Sequence, residues 1–269
     1  MNATLLGLFA LALYGAAEGF SIFSLRKNSG ALGRAATIVL TGALLVHFVA
    51  LQVRARTLHS VPYRDLSDSM SFFAWLMAVA YLFLAFRHRE RSTGPFLVPL
   101  VMIFLAVSLV THPSPSPVKK GLAGPLFAFH VTMAILGYAA LSLAFVLALL
   151  YLVQNRQLRT RRTGLLFSRL PALDVLDRME RTAIGVGVAA LGVSLALGVI
   201  WAQKNWGTIW DAKLGATLLV LLVYATALFS TRLRLQGKKT AFLSVIGFSL
   251  VLFSYTIVNL FFSRGHAFR

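Results

Sequence analysis

The sequence predicts an all-α integral membrane protein, a single polytopic domain over residues 1–269 folded as a bundle of eight transmembrane helices. Hydrophobic residues make up 58% of the chain and the mean hydropathy is +0.78, more apolar surface than a soluble core can hold. Long apolar runs alternate with short polar connections, so neighbouring helices are expected to be antiparallel. The eight runs cover roughly residues 3–25, 33–53, 70–86, 95–111, 125–153, 182–203, 213–231 and 241–263.

Length justifies most of these runs as spans, because a helix needs ~20 residues to cross the hydrocarbon core. The third and fourth runs, 70–86 and 95–111, lie at the short limit of ~17 residues. The connection at 155–181 is basic first and amphipathic later. That pattern favours a cytoplasmic helix on the inner membrane surface, with a docking site for a cytoplasmic partner as the alternative.

Positive charge is unequal on the two sides of the predicted bundle. Alternate connections place 17 of the 26 Lys and Arg residues on one side and 9 on the other. The positive-inside rule puts the richer side in the cytoplasm, so both termini are expected outside. Much of the net charge of +18 then reflects topology and contact with anionic lipid rather than nucleic acid. The expected location is the inner (cytoplasmic) membrane of a bacterium.

Five of the six histidines fall at or towards the predicted outer face. Imidazole in or near a bilayer is costly without a partner, so these histidines are candidates for function. The alternative for each is structural, such as a hydrogen bond to a helix carbonyl or between two helices. The sixth, His88, is expected to be a solvated residue on the cytoplasmic side. The five are His47, His59, His112, His130 and His266.

The same outer face receives the segment WAQKNWGTIWDAK, residues 201–213, which holds three of the four tryptophans. Trp206 and Trp210 are four residues apart, so a helical turn would put both on one face. Trp201 ends an apolar run and could be an anchor at the membrane interface, where tryptophan is enriched. The alternative is a surface that contacts a ligand, to which Asp211 would also belong.

Histidines with tryptophans and no cysteine suit haem better than other metal sites. The absence of cysteine excludes thiolate zinc sites, iron–sulfur clusters and covalent CxxCH haem attachment in this chain. Haem iron takes axial imidazoles, the macrocycle favours aromatic surfaces, and the propionates favour cations. The cations available on the outer side are Arg54, Arg56, Arg64, Lys204 and Lys213.

Five segments, in order along the chain, resemble the cytochrome c assembly membrane family (CcsA and CcmC), and within it the HemX-like branch. They are HSVPYRDLSDSMSFFAW (59–75), FHVTMAILGYAALSLAFVLALLYL (129–152), LPALDVLDRMERTAIGVG (170–187), WAQKNWGTIWDAK (201–213) and the terminal SRGHAF. Single matches of this kind carry little weight, but five in the right order between the right helices indicate the family.

The resemblance implies a protein that binds haem b non-covalently at the outer face. It implies axial ligation by His130 and His266 and a haem platform formed by Trp201, Trp206, Trp210 and Asp211. His47 or His59 would be an alternative or second-site ligand. The protein would hold haem and pass it on without altering it, so it is expected to be a carrier rather than an enzyme, with other cytochrome assembly proteins as partners.

Departures from the family pattern favour the HemX-like branch. Trp210 runs directly into Asp211, so the tryptophan motif is abridged, and no histidine lies between His130 and His266. A CcsA-type second haem site, or a route through the membrane, that uses a histidine in the helix after this motif is therefore not expected. Two other functions stay open: a regulator that binds a cytoplasmic haem-synthesis enzyme through residues 155–181, and a proton-coupled small-molecule transporter.

Overall fold

The structure, a computed structural model, describes residues 2–58, 61–63, 65–111, 124–161, 164–206, 212–230 and 237–253. Within these ranges every regular element is an α-helix. The helices are α1 (Ala3–Lys27), α2 (Gly30–Leu58), α3 (Leu66–His88), α4 (Gly94–Val110), α5 (Pro125–Arg159), α6 (Leu165–Arg169), α7 (Leu173–Trp206), α8 (Ala212–Leu228) and α9 (Lys238–Phe253).

Five of these helices, α1, α2, α3, α5 and α7, are long and apolar enough to cross a membrane. The all-α class and the multi-pass membrane character are thus confirmed. Helices α4 and α8 have 17 residues each, at the short limit for a span. The count of eight crossings and the placement of both termini outside remain predictions.

Helix α3 begins at Leu66, about one turn before the predicted run. The Asp65 carboxylate accepts a hydrogen bond from the Asp68 backbone N–H at 2.8 Å. This N-cap satisfies an amide that has no partner inside the helix, so the polar residues before the apolar run become helical. The helix reaches 23 residues, long enough to span.

Residues 155–181 do not form one helix. They comprise the end of α5, the five-residue α6 and the start of α7. Arg161 has a φ of 52°, in the left-handed region, which ends the helical path after α5. Pro171 separates α6 from α7, because proline lacks the N–H that would continue a helix. The amphipathic part is therefore continuous with α7, and its cytoplasmic location stays a prediction.

The chain divides into two compact units, each described by itself. The first contains residues 1–118 and 157–172, and the second contains residues 119–156 and 173–269. In the first unit, α1 packs against α2 and α4, and α3 packs against α2 and α4. Its core includes the fully buried side chains of Tyr14, Met77 and Leu97.

In the second unit, glycines allow α5 and α7 to approach closely. A Cβ at Gly137 of α5 would stand 2.6 Å from Leu191 Cγ, and one at Gly187 of α7 would stand 2.5 Å from Leu141 Cδ2. In these two pairs, the later residue of α5 contacts the earlier residue of α7, so the two helices are antiparallel. Small residues at such contacts are a common basis of helix association in membranes.

Polar contacts connect α7 to α9 and to the residues just after α8 in the same unit. Arg181 pairs with Asp177 at 2.8 Å and donates to Ser230 Oγ at 2.8 Å. Ser244 Oγ donates to Glu180 Oε1 at 2.6 Å. Glu180 is fully buried, and its Oε2 has no hydrogen-bond partner within the described ranges. An ionised carboxylate is costly in such a place, so a neutral side chain is expected to suit it.

Candidate functional site

His130 of α5 is held by Ser194 of α7 through hydrogen bonds in both directions. The imidazole Nδ1 donates to the Ser194 backbone carbonyl at 2.7 Å. The Ser194 hydroxyl donates to the His130 backbone carbonyl at 2.9 Å, and its oxygen lies 3.1 Å from Nδ1. The ring and the backbone of one residue are therefore both attached to Ser194.

This arrangement selects one tautomer of His130. A carbonyl oxygen can only accept, so Nδ1 carries the proton and the lone pair of the neutral ring is on Nε2. Histidines that bind metal commonly donate their other ring N–H to a carbonyl or carboxylate, which fixes the ring. His130 thus has the protonation pattern that an Nε2 metal ligand requires.

Gly198, one turn after Ser194 in α7, provides the space for the imidazole. A Cβ at this position would stand 2.6 Å from His130 Cε1 and 2.9 Å from Nδ1. Real Cβ atoms do not tolerate such separations, so a side chain here would displace the ring.

Aromatic rings adjoin the histidine on the outward side of the predicted topology. The Phe127 ring lies 6.0 Å from the His130 ring and 4.9 Å from the Trp201 ring, centroid to centroid. Trp201 is 6% exposed, so it packs between helices rather than anchoring at a lipid surface. Together Phe127 and Trp201 form an apolar wall beside the imidazole.

Three residues of this site, Phe127, Ser194 and Gly198, were not predicted from the sequence. Their spacing carried a signal. Phe127 precedes His130 by three positions in α5. In α7, Gly198 follows Ser194 by four positions and precedes Trp201 by three. Such spacings put residues on one helix face. The signal was incomplete, because it does not say which face of α7 meets α5.

His47 lies in the first unit and is fully buried. Its Nδ1 is 3.4 Å from the Tyr14 hydroxyl, and its Nε2 is 3.0 Å from Ser71 Oγ. Both ring nitrogens are thus engaged between helices, which is the structural alternative stated for this residue. To ligate iron it would have to give up one of these contacts.

Arg54, also in the first unit, already has anionic partners. Its Nε donates to Asp68 Oδ1 at 2.7 Å, and its Nη2 lies 3.8 Å from Asp65 Oδ2. Its charge is therefore largely matched inside the protein. Arg56 and Lys204, in contrast, are exposed.

The other predicted site residues lie outside the described residues: His59, Arg64, His112, Trp210, Asp211 and His266. Trp206 and Lys213 are placed in α7 and α8, but their side chains are not described. Of the predicted set, the structure brings together His130 and Trp201. In the described part of the chain, no group of three His, Asp or Glu side chains is arranged to hold a metal ion directly.

Comparison with known protein families shows which family the chain belongs to. Residues 63–265 match the sequence model of the family described as Cytochrome C assembly protein. The chain belongs to the cytochrome c assembly family. This confirms the resemblance carried by the five sequence segments, and with it the assignment to cytochrome c biogenesis.

Relatives of this cytochrome c assembly protein include members of both the HemX and the CcsA type. Protein HemX of Bacillus subtilis (strain 168) is 30% identical over 203 residues, which cover 74% of this chain and 74% of HemX. The cytochrome c biogenesis protein CcsA of Trieres chinensis is 28% identical over 293 residues, covering 96% of this chain and 92% of CcsA.

A solved structure shares the fold of this family member. The protein named cytochrome c haem lyase CcmF matches with a TM-score of 0.66 and 18% identity, covering 95% of this chain. The chain spans about half, 47%, of the length of that lyase. At this identity the likeness shows a common fold and nothing about the reaction.

Proposed function

We propose that this cytochrome c assembly protein binds haem b non-covalently, holds it at the outer membrane face and hands it on. The haem would go to cytochrome c biogenesis or to another route of haem delivery. The observation that carries the proposal is the 2.7 Å hydrogen bond from His130 Nδ1 to the Ser194 carbonyl, which leaves the Nε2 lone pair as the donor to iron.

The residues around His130 suit haem as a cargo. An iron porphyrin needs a neutral imidazole nitrogen, apolar ring surface beside it and cations for its propionates. The tautomer of His130 meets the first requirement, and Phe127 and Trp201 meet the second. Lys204, three residues beyond Trp201 and exposed, is available for the third.

The remaining parts of the proposed site come from the resemblance to the family. His266 would be the second axial ligand, and Trp206, Trp210 and Asp211 would complete the platform. Arg56, Arg64 and Lys213 are further propionate candidates, whereas Arg54 is occupied by Asp68. His47 and His59 are the alternative ligands, and for His47 the contacts to Tyr14 and Ser71 oppose that role.

The proposed role is that of a carrier. The protein would bind haem, keep the iron ligated and release it to other cytochrome assembly proteins, with no bond of the haem made or broken by its own residues. We place it in the inner membrane of a bacterium, with its haem site on the outer side.

The test is an absorption spectrum of the purified protein, with haemin added where the protein is colourless. Bound haem should give a Soret band and, after reduction, low-spin α and β bands. His130→Ala should lose haem or turn the spectrum high-spin. His88→Ala is the matched control, because it removes a histidine at the end of α3. A wild-type protein that takes up no haemin, or an unchanged His130→Ala spectrum, would contradict the proposal.

A further inference from the structure

We propose that Ser194 is a positioning residue for the haem ligand: it fixes the tautomer and ring plane of His130 and strengthens electron donation from Nε2 to the iron. The proposal rests on the proposed haem function, since it concerns the same histidine. A residue of α7 would thus control a haem ligand that lies in α5, 64 residues earlier in the sequence.

The hydrogen atoms in this cluster can be placed from chemistry. The Ser194 hydroxyl commits its proton to the His130 carbonyl at 2.9 Å. Its oxygen, 3.1 Å from Nδ1, is then an acceptor, as is the Ser194 carbonyl at 2.7 Å. The single Nδ1–H is therefore shared between two oxygens of one residue.

Burial makes this pairing hard to replace. Ser194 is 3% exposed, so water is not at hand to substitute for its hydroxyl. Without the hydroxyl, the His130 carbonyl loses one donor and Nδ1–H loses one of two acceptors. The ring would then be held at one point rather than two, and its plane would be less fixed.

The electronic consequence has a definite direction. Acceptors on Nδ1–H make an imidazole more basic at the metal-binding nitrogen. A more basic ligand stabilises ferric over ferrous iron, so the reduction potential falls. Removing the Ser194 hydroxyl should therefore raise the potential of bound haem while leaving the carbonyl contact in place.

The experiment compares the wild type with Ser194→Ala, Ser194→Thr and Ser249→Ala. Threonine keeps a hydroxyl at the position. Ser249 is the matched control, because its hydroxyl is exposed and, among the described residues, donates to the Val245 carbonyl within α9. Two measurements are made: histidine ¹⁵N NMR of the haem-free protein, assigned with His130→Ala, and a redox titration of the haem-loaded protein.

We expect the wild type and Ser249→Ala to show one Nδ1–H tautomer of His130 and the same midpoint potential. Ser194→Ala should keep the Nδ1–H tautomer, because the backbone carbonyl at this position remains, but it should show a changed Nδ1 ¹⁵N shift and a higher potential. Ser194→Thr should restore the wild-type values at least in part. An unchanged midpoint potential in Ser194→Ala would overturn the electronic role, and an unchanged Nδ1 ¹⁵N shift would overturn the positioning role.

The two proposals fail in different ways. If the wild type takes up no haem, the proposed function is wrong, while the NMR measurement on haem-free protein still decides whether Ser194 fixes His130. If the wild type binds haem and Ser194→Ala matches it in both measurements, the role of Ser194 is wrong and haem binding stands.

Discussion

Gly198 of α7 lies against His130 of α5 so closely that a methyl group on its Cα would stand 2.6 Å from the imidazole Cε1. The imidazole and a glycine thus share one space between two helices. The position of the proposed ligand therefore depends on the lack of a side chain at Gly198 as well as on the histidine itself.

Gly198→Ala should therefore weaken haem binding. The added methyl would push the ring away from the Ser194 carbonyl, and we expect a loss of at least ~tenfold in affinity, about 1.4 kcal/mol, in haemin titrations. Gly192→Ala in the same helix is the control, because a Cβ there meets no atom of the described residues within 4 Å. Wild-type affinity and spectrum in Gly198→Ala would refute the steric account of the site.

Gly137→Ala should destabilise the second unit. Its Cβ would stand 2.6 Å from Leu191 Cγ and 3.1 Å from the Leu191 backbone nitrogen. Overpacking of this kind costs about 1–3 kcal/mol, so thermal unfolding in detergent should shift to lower temperature. Adding Leu191→Ala should recover only part of the loss, because the backbone contact remains. Full recovery would show that the backbone approach is not limiting.

Removing the nearer carboxylate partner of Arg54 should destabilise the first unit. Asp68 is 4% exposed and pairs with Arg54 at 2.7 Å, so Asp68→Asn leaves the half-buried guanidinium with the more distant Asp65 carboxylate at 3.8 Å. We expect a loss of about 1–3 kcal/mol in thermal or denaturant unfolding.

An exposed ion pair of the same length provides the comparison. Arg178 and Asp174 also lie 2.7 Å apart, with side chains 58% and 63% exposed. Asp174→Asn should change stability little, since solvent screens such pairs. Equal effects of Asp68→Asn and Asp174→Asn would show that burial does not set the strength of the Arg54 pair.

Glu180→Gln should be tolerated or stabilising. The glutamine side chain has the same shape, and its oxygen can accept the hydrogen bond from Ser244. The substitution removes the charge of a carboxylate whose Oε2 has no hydrogen-bond partner among the described residues. Arg181→Gln should unfold more readily, because Asp177 and Ser230 lose their donor. A Glu180→Gln protein less stable than Arg181→Gln would mean that the carboxylate charge is needed.

Single cysteines can test the predicted topology, since the natural chain has none. Thr57→Cys, near the end of α2, should react with a membrane-impermeant maleimide in intact cells. Arg87→Cys, near the end of α3, should react only after permeabilisation. Both residues are exposed in the structure. The reverse pattern would place both termini in the cytoplasm and the His130 end of α5 inside.

The sequence predicted the parts of this protein that depend on local chain properties. Apolar length identified the runs that became helices, because a span is defined by consecutive residues. The run at 70–86 was too short by about one turn, since the Asp65 cap that extends α3 acts through a side chain and not through hydropathy. The segment 155–181 was divided by Arg161 and Pro171, which an amphipathic average does not register.

By itself the sequence determined the all-α membrane class, the family and His130 as a candidate ligand. These follow from composition, run length and the order of motifs, which are written along the chain. Only the tertiary structure decided that Ser194 selects the tautomer of His130 and that Gly198 provides space for its ring. It also decided that Asp68 forms an ion pair with Arg54. Those contacts depend on which helix faces meet and in what register, and such pairings between distant segments are set by packing rather than by local sequence.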